Sequence, residues 1–375
     1  MNTRFGKFIG TNGFGKLFFA FSLAIILCAA CINGLAIGRL WDNSWLPAAV
    51  GLLYAAAGLL VLTQKEATKR WTSRRFGVFL GFSTCFFIYD APLLLLWKIC
   101  AAIAQFSEKT NAAGVLCADG LAAITVAGGY LHTKVVKCRS YSIPVGQSGM
   151  GCRIALCSDI HLGAFVREKH VRRIVEKINE LEADLVVICG DIIDAGNQIL
   201  SDAGALAKIS AEFQKISSKE GVFAVLGNHD PQAENAAFLR FLQDAHIRLL
   251  HNQSIRLSKI NLIGRTNASN NRRLPLEDFA DKIEPSMPVI ILDHDPCGIP
   301  EAAQFGADLV LCGHTHRGQF FPITYFTKWA NGRHFFYGHE QFGKTHAVIS
   351  SGAGFFQLPI RIGTDNEIAD IRLTQ

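Results

Sequence analysis

Charged residues are scarce in this sequence, and the scarcity is uneven. Only 18% of the 375 residues are Asp, Glu, Lys or Arg, whereas 50% are hydrophobic, which is a low charged fraction for a soluble protein. Acidic residues are rarest at the start, because residues 1–139 hold 5 Asp or Glu against 14 Lys or Arg. This basic excess beside long apolar runs argues against a soluble domain and predicts a membrane surface as a partner.

A basic excess is absent from residues 140–375, which hold 23 Lys or Arg against 26 Asp or Glu. A protein that binds nucleic acid through a basic patch needs the opposite balance. We therefore expect no nucleic-acid partner. This part also lacks internal repeats and low-complexity segments.

A zinc-type pair of cysteines is also absent, although the chain has eleven cysteines. The one close pair, Cys28 and Cys31, lies within an apolar run, where zinc ligands are not expected. Several others end short strand-like runs. Reduced and mostly buried thiols are the expectation, as is usual in a cytoplasmic domain.

Four apolar runs are candidate membrane spans. A crossing helix needs about 20 apolar residues, with about 17 as the lower limit, so the first and third runs qualify most clearly. We predict a transmembrane domain of four helices at 1–139 and a second domain at 140–375. The four spans are Leu17–Ile37, Leu46–Leu62, Phe76–Trp97 and Val115–Leu131.

The flanking charges predict the orientation of these spans. Lys and Arg are concentrated before the first span, between the second and third, and after the fourth, whereas the other two loops hold only Arg39, Lys98 and Lys109. Because Lys/Arg-rich flanks stay cytoplasmic, both termini and the second domain are expected inside. A cleaved signal peptide or lipoprotein box at Leu27–Cys31 is a weaker alternative.

Two carboxylates, Asp90 and Asp119, lie within the predicted spans. Acidic residues at membrane depth are candidates for function. For Asp90, which precedes Ala91 and Pro92, the alternative is a helix end or kink near the interface.

From about Tyr141, strand-like and helical patterns alternate, which predicts an α/β domain. Five of its strands are followed at once by polar residues, and α/β domains place their sites at the carboxyl ends of strands. The five clusters are "SDIH" (158–161), "GDIID" (190–194), "GNHD" (227–230), "DHD" (293–295) and "GHTH" (313–316).

The donor atoms in these clusters are oxygen and nitrogen, which suit divalent Mn, Fe, Mg or Zn. The clusters offer too many ligands for one ion but enough for two, if one carboxylate bridges the ions. Two neighbouring ions can bind both the attacking and the leaving oxygen when a phosphoester is cleaved. Any single Asp or His would more often be a turn or core residue, but five such clusters in order are hard to obtain by chance. The seven candidate ligands are Asp159, His161, Asp191, Asn228, His294, His314 and His316.

The order D-x-H, GD-x-x-D, GNH-[DE], a lone His and GH-x-H resembles the calcineurin-like metallophosphoesterase superfamily, from about Arg153 to Leu373. The phrases "GHTHRGQ" and "LPIRIG", together with the spans, look like the membrane-anchored bacterial YkuE/YaeI-type phosphodiesterases. That branch includes a cytoplasm-facing hydrolase of UDP-2,3-diacylglucosamine in lipid A synthesis. The resemblance implies two central β-sheets flanked by helices, in a protein of the bacterial inner membrane.

The resemblance also implies roles for single residues. Two divalent ions are expected, most readily Mn, with Fe, Mg or Zn as alternatives. His229 would protonate the leaving oxygen or stabilise the transition state, Asp230 would orient His229, and Asp194 would fix ligand geometry. The first ion would be held by Asp159, His161, Asp191 and His316, and the second by Asp191, Asn228, His294 and His314.

Some features depart from the family pattern. Arg317 stands where many relatives have Gly, and it would either grip a second phosphate, favouring a pyrophosphate substrate, or lie solvated on the rim. A strand that continues through the motif would aim His314 and His316 at neighbouring ions. The aromatic segment 320–345 suits a membrane interface, with a folded loop as the alternative.

The sequence thus predicts a membrane-bound two-metal phosphoesterase that acts on a phosphodiester or pyrophosphate of a lipid-linked substrate at the cytoplasmic leaflet. UDP-2,3-diacylglucosamine, hydrolysed to UMP and the lipid monophosphate, is the substrate that the resemblance favours. Another lipid or nucleotide is the first alternative. A non-catalytic metal-binding membrane protein is the second, and the intact His229 and ligand set argue against it. The sequence leaves the metal and the oligomeric state open.

Overall fold

The computed structural model describes residues 27–36, 74–145, 151–268 and 272–375, with a few further residues between 40 and 56. The chain forms two compact units, Met1–Leu131 and His132–Gln375. The sequence places the boundary later, at 139, inside the first strand of the second unit, Val136–Pro144. That strand was not predicted from the sequence, because its Lys and Arg resemble the charged flank of a span.

The first unit consists of helices in its described part. They are α1 (Leu27–Ala36), α2 (Arg74–Ile103) and α3 (Glu108–His132). Helices α2 and α3 are long and apolar enough to cross a membrane, and they contain the third and fourth predicted spans. Of the first predicted span only α1 is described, and most of the second, Leu46–Leu62, lies outside the described residues. The described part thus holds two candidate spans, and the four-helix bundle remains a prediction.

Helix α2 continues through Pro92 to Ile103. Asp90 therefore lies inside a helix, and the alternative of a helix end at this residue is wrong. Trp97 of α2 packs over Gly114 of α3, where a Cβ atom would come within 1.9 Å of the indole. The indole Nε1 also donates to the carbonyl of Asn111 at 3.0 Å, which fastens the two helices together.

The second unit contains two six-stranded sheets. The first has the order β1-β12-β2-β3-β4-β5, and the second has the order β10-β11-β9-β8-β7-β6. The strands are β1 (Val136–Pro144), β2 (Arg153–Cys157), β3 (Leu185–Cys189), β4 (Val222–Val225), β5 (Ile247–Leu249), β6 (Gln253–Arg256), β7 (Asn261–Gly264), β8 (Val289–Leu292), β9 (Leu309–Cys312), β10 (Gly338–Phe342), β11 (Thr345–Ile349) and β12 (Asn366–Thr374). The helices are α4 (Glu168–Asn179), α5 (Ala203–Phe213), α6 (Ala236–Asp244), α7 (Ile299–Phe305) and α8 (Ile323–Asn331).

The two sheets pack face to face, and the alternation of side chains along each strand produces this arrangement. In β2, Ile154 and Leu156 point into a core shared with the second sheet, whereas Ala155 and Cys157 point toward helices α4 to α6. A third apolar cluster lies between the second sheet and α7. The expected α/β architecture, two sheets flanked by helices, is confirmed.

The central strands of each sheet run parallel. Strands β2, β3 and β4 pair in parallel in the first sheet, and β7, β8 and β9 do so in the second. Their carboxyl ends therefore meet at one edge of the sandwich, which is where the five polar clusters emerge.

Candidate metal centre

The structure brings the predicted ligands together as two adjoining clusters. One consists of Asp159, His161 and His316, and the other of Asp191, His294 and His314; within each, the potential donor atoms lie within 4.8 Å of one another. All but His314 are largely buried. The grouping matches the two ligand sets that the resemblance implies.

The first cluster is the tighter one. The Nε2 atoms of His161 and His316 lie 3.0 Å apart, and His316 Nε2 lies 3.5 Å from Asp159 Oδ1. Only one of two facing imidazole nitrogens can carry the proton in such a contact. The Nδ1 atoms of both rings have no hydrogen-bond partner among the described residues.

Asp191 lies between the two clusters. Its Oδ2 atom is 3.3 Å from His294 Nε2 and 3.7 Å from His161 Nε2. In the second cluster, Asn228 Oδ1 lies 3.1 Å from His294 Nε2 and 2.9 Å from His314 Nδ1. Asn228 thus joins the second cluster, and Asp191 is placed to serve both clusters.

Five of the seven ligands adopt a left-handed backbone conformation. These are Asp159 (φ 51°), His161 (φ 53°), Asp191 (φ 52°), His314 (φ 73°) and His316 (φ 51°). Such conformations cost about 1–3 kcal/mol each in non-glycine residues and concentrate at functional sites. The expectation that His314 and His316 extend a strand is wrong, because β9 ends at Cys312 and both histidines are left-handed.

Two motif glycines make room for the carboxylates. A Cβ atom on Gly227 would lie 2.0 Å from Asp191 Oδ1, and one on Gly313 would lie 2.3 Å from Asp159 Oδ2. The backbone of the "GNH" and "GHTH" loops can approach the carboxylates only because these side chains are missing. The approach is used, since the His314 and His229 N–H groups donate to Asp159 and Asp191 at 2.9–3.1 Å.

Burial and proximity set the charges of these groups. Burial raises the pKa of Asp159 to about 6 and lowers that of His161 to about 3. Burial would raise the pKa of Asp191, but His294 and His161 hold it below its usual range. Burial would lower the pKa of His294, but Asp191 raises it to about 10. Burial also lowers the pKa of His314 and His316.

The donor set fits two divalent cations. His161, His314 and His316 are neutral near pH 7, which is the form in which imidazole binds metals. Their ring nitrogens converge with carboxylate and amide oxygens, a mixture that borderline divalent metals accept. Two carboxylates gathered in a buried place also need positive charge nearby, and bound cations would supply it.

His229 lies beside the first cluster. Its ring centroid is 5.5 Å from that of His161, and burial lowers the pKa of its imidazole. Asp230 was expected to orient it. Instead, the two Asp230 oxygens accept the backbone N–H groups of Ile193 and Gly227 at 2.8 Å, so Asp230 braces two ligand-bearing loops.

Asp194 lies 3.7 Å from Nδ1 of His161, next to the first cluster as the resemblance implies. Its Oδ1 also accepts the N–H of Ala195 at 2.8 Å. Burial raises the pKa of Asp194 to about 7. A small adjustment would bring the carboxylate into hydrogen-bond contact with the ring, so a positioning role remains a prediction.

Arg317 stacks over the ring of Tyr337, with 4.4 Å between the guanidinium carbon and the ring centroid. The hydroxyl of Tyr337 donates to Glu367 at 2.8 Å. Arg317 is half-buried and adopts φ 52°. It is thus packed on an aromatic ring rather than loosely solvated on the rim, and its planar face is fixed close to the site.

The two carboxylates that flank His294, Asp293 and Asp295, are both engaged by other groups. Asp293 is paired with the guanidinium of Arg273 and lies 3.7 Å from Arg265, so its charge is neutralised. Asp295 Oδ1 accepts the N–H of Cys297 at 2.9 Å and caps a short turn. Neither points to an additional metal ligand.

Phe356 was not predicted from the sequence, and its ring stacks on that of His229 with centroids 4.4 Å apart. Gln319 accepts the Phe356 N–H at 2.7 Å. The buried Arg361 donates to the carbonyls of His316, Ser351 and Gly354. Gln319 and Arg361 belong to "GHTHRGQ" and "LPIRIG", the phrases that carry the family resemblance, so these motifs could have indicated both residues. No sequence motif indicated Phe356.

A cavity of 540 Å³ opens beside the second cluster, from Asn228 and Asp230 outward. Its lining is mostly polar, so it suits a hydrogen-bonding group rather than an acyl chain. The residues beyond the motif are Pro231, Gln232, Ala233, Glu234, His251, Thr266, Asn267 and Arg272.

Comparison with known proteins agrees with this site. Residues 152–318 match the family model "Calcineurin-like phosphoesterase". An "Uncharacterized metallophosphoesterase" of Helicobacter pylori strain J99 is 33% identical over 59% of this chain and 59% of its own length. One from Aquifex aeolicus is 31% identical over 55% of this chain and 79% of its own. A "Transmembrane protein with metallophosphoesterase domain" of Danio rerio is 30% identical over 73% and 65%.

The chain spans about three-fifths of the length of the first of these relatives, 59%, but four-fifths of the Aquifex protein, 79%. The residues that match the family model, 152–318, include the motifs that build the two clusters. The chain belongs to the calcineurin-like phosphoesterase family.

Proposed function

We propose that this chain is a two-metal phosphoesterase that cleaves a phosphodiester or pyrophosphate bond. The observation that carries the proposal is the position of Asp191, whose Oδ2 faces His294 at 3.3 Å and His161 at 3.7 Å. A carboxylate between two imidazole-rich clusters is what a pair of neighbouring ions requires.

The roles of the residues follow from their positions. Asp159, His161 and His316 would hold one ion, Asn228, His294 and His314 the other, and Asp191 both. Two such ions lower the pKa of water and offset charge on a phosphoryl group. The imidazole of His229 lies beside the first cluster, where it would donate a proton or a hydrogen bond to the leaving oxygen. Each cluster holds two imidazoles, so Mn, Fe or Zn suits the site better than Mg, and Mn is the metal to test first.

A membrane setting is supported by the surface of helix α8. Tyr325, Phe326 and Trp329 are 67%, 64% and 72% exposed, and Lys328 lies on the same helix. Exposed aromatic side chains with a cationic neighbour suit an anionic lipid interface. Helices α2 and α3 and the name of the Danio rerio relative also support membrane association. We propose a multi-pass protein of the bacterial inner membrane with its site at the cytoplasmic leaflet.

The substrate that combines these features has a polar group, a phosphoester and a lipid. The polar cavity would hold a nucleotide or sugar, the clusters the reacting phosphate, and the α8 surface would meet the bilayer. UDP-2,3-diacylglucosamine has all three parts and is the first substrate to test. The polar cavity also supports a second candidate, a nucleotide diester without a lipid.

The test is a panel assay on the full chain in lipid nanodiscs, with Mn, Mg, Fe and Zn supplied in turn. The substrates are bis(p-nitrophenyl) phosphate, a dinucleotide and UDP-2,3-diacylglucosamine, and His229→Gln is the matched control. Release of UMP and the lipid monophosphate supports the full proposal. Hydrolysis of the generic diester alone removes the lipid substrate and keeps the class. No hydrolysis with any metal would indicate a binding protein instead.

A further inference from the structure

Three polar side chains meet inside the first unit, one from each described helix. Asp90 of α2 and Asp119 of α3 lie within hydrogen-bond contact of each other, and Asn33 of α1 reaches Asp119. Asp90 has no exposed surface and Asn33 is 2% exposed. The sequence singled out the two carboxylates separately, and the fold joins them.

The oxygen atoms of this group lack donors. Within the part of the chain that the structure describes, both Asp90 oxygens, Oδ1 of Asp119 and Oδ1 of Asn33 accept no hydrogen bond. The Asn33 amide nitrogen donates to the carbonyl of Ala29 at 3.3 Å. A single proton shared between the carboxylates would satisfy at most one oxygen on each of them. The remaining acceptors would stay without a partner.

The surroundings make this arrangement costly when both carboxylates are ionised and no positive charge is nearby. The neighbouring core is apolar and includes Ala29, Leu94, Val115 and Ala118. An ionised carboxylate in such a place is strongly destabilising unless it is paired, and two in contact repel each other as well. A bound cation removes both penalties and supplies a partner for several oxygens at once.

We propose that Asp90, Asp119 and Asn33 form a binding site for a hard divalent cation such as Mg²⁺ or Ca²⁺. Its donors are all oxygen, the ligand type that these ions prefer, in contrast to the imidazole-rich clusters of the second unit. Two carboxylates also match the charge of a divalent ion. The site uses none of the residues of the phosphoesterase centre.

The experiment measures ⁴⁵Ca²⁺ binding to the full chain in nanodiscs after chelator treatment. Asp191→Asn is included so that binding at the phosphoesterase centre is recognised. The expected result is a calcium ion that the wild type and Asp191→Asn retain and that Asp90→Asn and Asp119→Asn lose. Competition by Mg²⁺ then distinguishes the two cations. Asp90→Asn should still hydrolyse bis(p-nitrophenyl) phosphate with Mn, which shows that it is folded.

Should neither carboxylate variant fold, Asn33→Ala keeps both charges and should weaken calcium binding about tenfold through the loss of one ligand. Binding that is unchanged in every variant overturns the proposal. A wild-type protein that binds neither calcium nor magnesium also overturns the proposal, because the two carboxylates would then share only a proton.

Discussion

The imidazole of His229 stacks on the ring of Phe356, with centroids 4.4 Å apart and planes inclined by 27°. Phe356 also contacts the ring of His161 at 5.1 Å. Its backbone is held by both ends of the Gln319 amide, which accepts the Phe356 N–H and donates to its carbonyl. Aromatic packing therefore sets the angle of His229, in the place where Asp230 was expected to do so.

Removing this stack should slow catalysis while leaving metal binding intact. We expect Phe356→Ala to lower kcat by about 10- to 100-fold, because misplacing a catalytic group costs that much. His229→Gln should lose about 10²–10⁴-fold. Steady-state kinetics on bis(p-nitrophenyl) phosphate and metal analysis of the same samples check both. Phe356→Tyr is the control that keeps the stack, and equal loss of metal and rate in Phe356→Ala would contradict a positioning role.

Arg317 should matter for a second phosphate. We expect Arg317→Gly to lower kcat/KM for a pyrophosphate substrate by about 10- to 100-fold, the worth of a hydrogen bond to a charged group, and to spare a simple diester. The variant should stay folded, because glycine adopts the φ of 52° found at Arg317 without strain. The matched control is Arg333→Ala, because Arg333 is an exposed arginine outside the motif. An equal effect on both substrates would show that Arg317 serves only to pack on Tyr337.

His170 should make stability depend on pH. Its Nε2 donates to the Ala353 carbonyl at 2.8 Å, and burial, with help from Arg173 and Lys134, lowers its pKa to about 4. Because the folded pKa lies below the unfolded value of about 6.5, the contribution is complete above pH 6.5. It should be lost as pH falls from about 6.5 to about 4, by up to about 1.4 kcal/mol per unit.

His170→Gln keeps a donor for Ala353 and does not titrate. Melting temperatures of both proteins in detergent, from pH 7.5 to 4.5, check this prediction. The difference between them should shrink toward acid pH. Parallel curves would mean that His170 is not the group responsible.

The exposed aromatic surface of α8 should lower KM for lipid substrates but not for soluble ones. Replacing Tyr325, Phe326 and Trp329 by Ser removes exposed aromatic area and should raise KM for a vesicle-embedded phosphodiester by about tenfold or more. The KM for bis(p-nitrophenyl) phosphate should not change. The matched control replaces the exposed apolar Leu239, on helix α6, by Ser. Equal KM values for the triple variant and the wild type on vesicles would argue that α8 is only a folded cover.

The second unit could be predicted closely because its signals are local. The apolar run "RIALC" forms the strand Arg153–Cys157, and the apolar residues at helical spacing in α4 are buried: Val171, Ile174, Val175 and Ile178. The ligand groups followed from the polar residues at strand ends, since parallel strands deliver their carboxyl ends to one edge.

What could not be predicted depends on long-range packing. Strand β1 pairs with β12, which lies at the other end of the second unit in sequence. No local sequence pattern identifies such a distant partner. The left-handed backbone at His314 and His316, the stack of Phe356 on His229 and the meeting of Asp90 with Asp119 arise in the same way. The last two are tertiary contacts between segments that are individually unremarkable in sequence.

The proposed two-metal centre requires Asp191 to be the carboxylate shared by both ions. The decisive measurement is Mn content and diester hydrolysis of Asp191→Asn beside the wild type, both as full chains in nanodiscs. We expect the wild type to retain about two Mn ions at the phosphoesterase centre, and the variant to lose bound Mn and about 10³-fold or more of its activity. Unchanged metal content and activity in Asp191→Asn would contradict the two-metal centre.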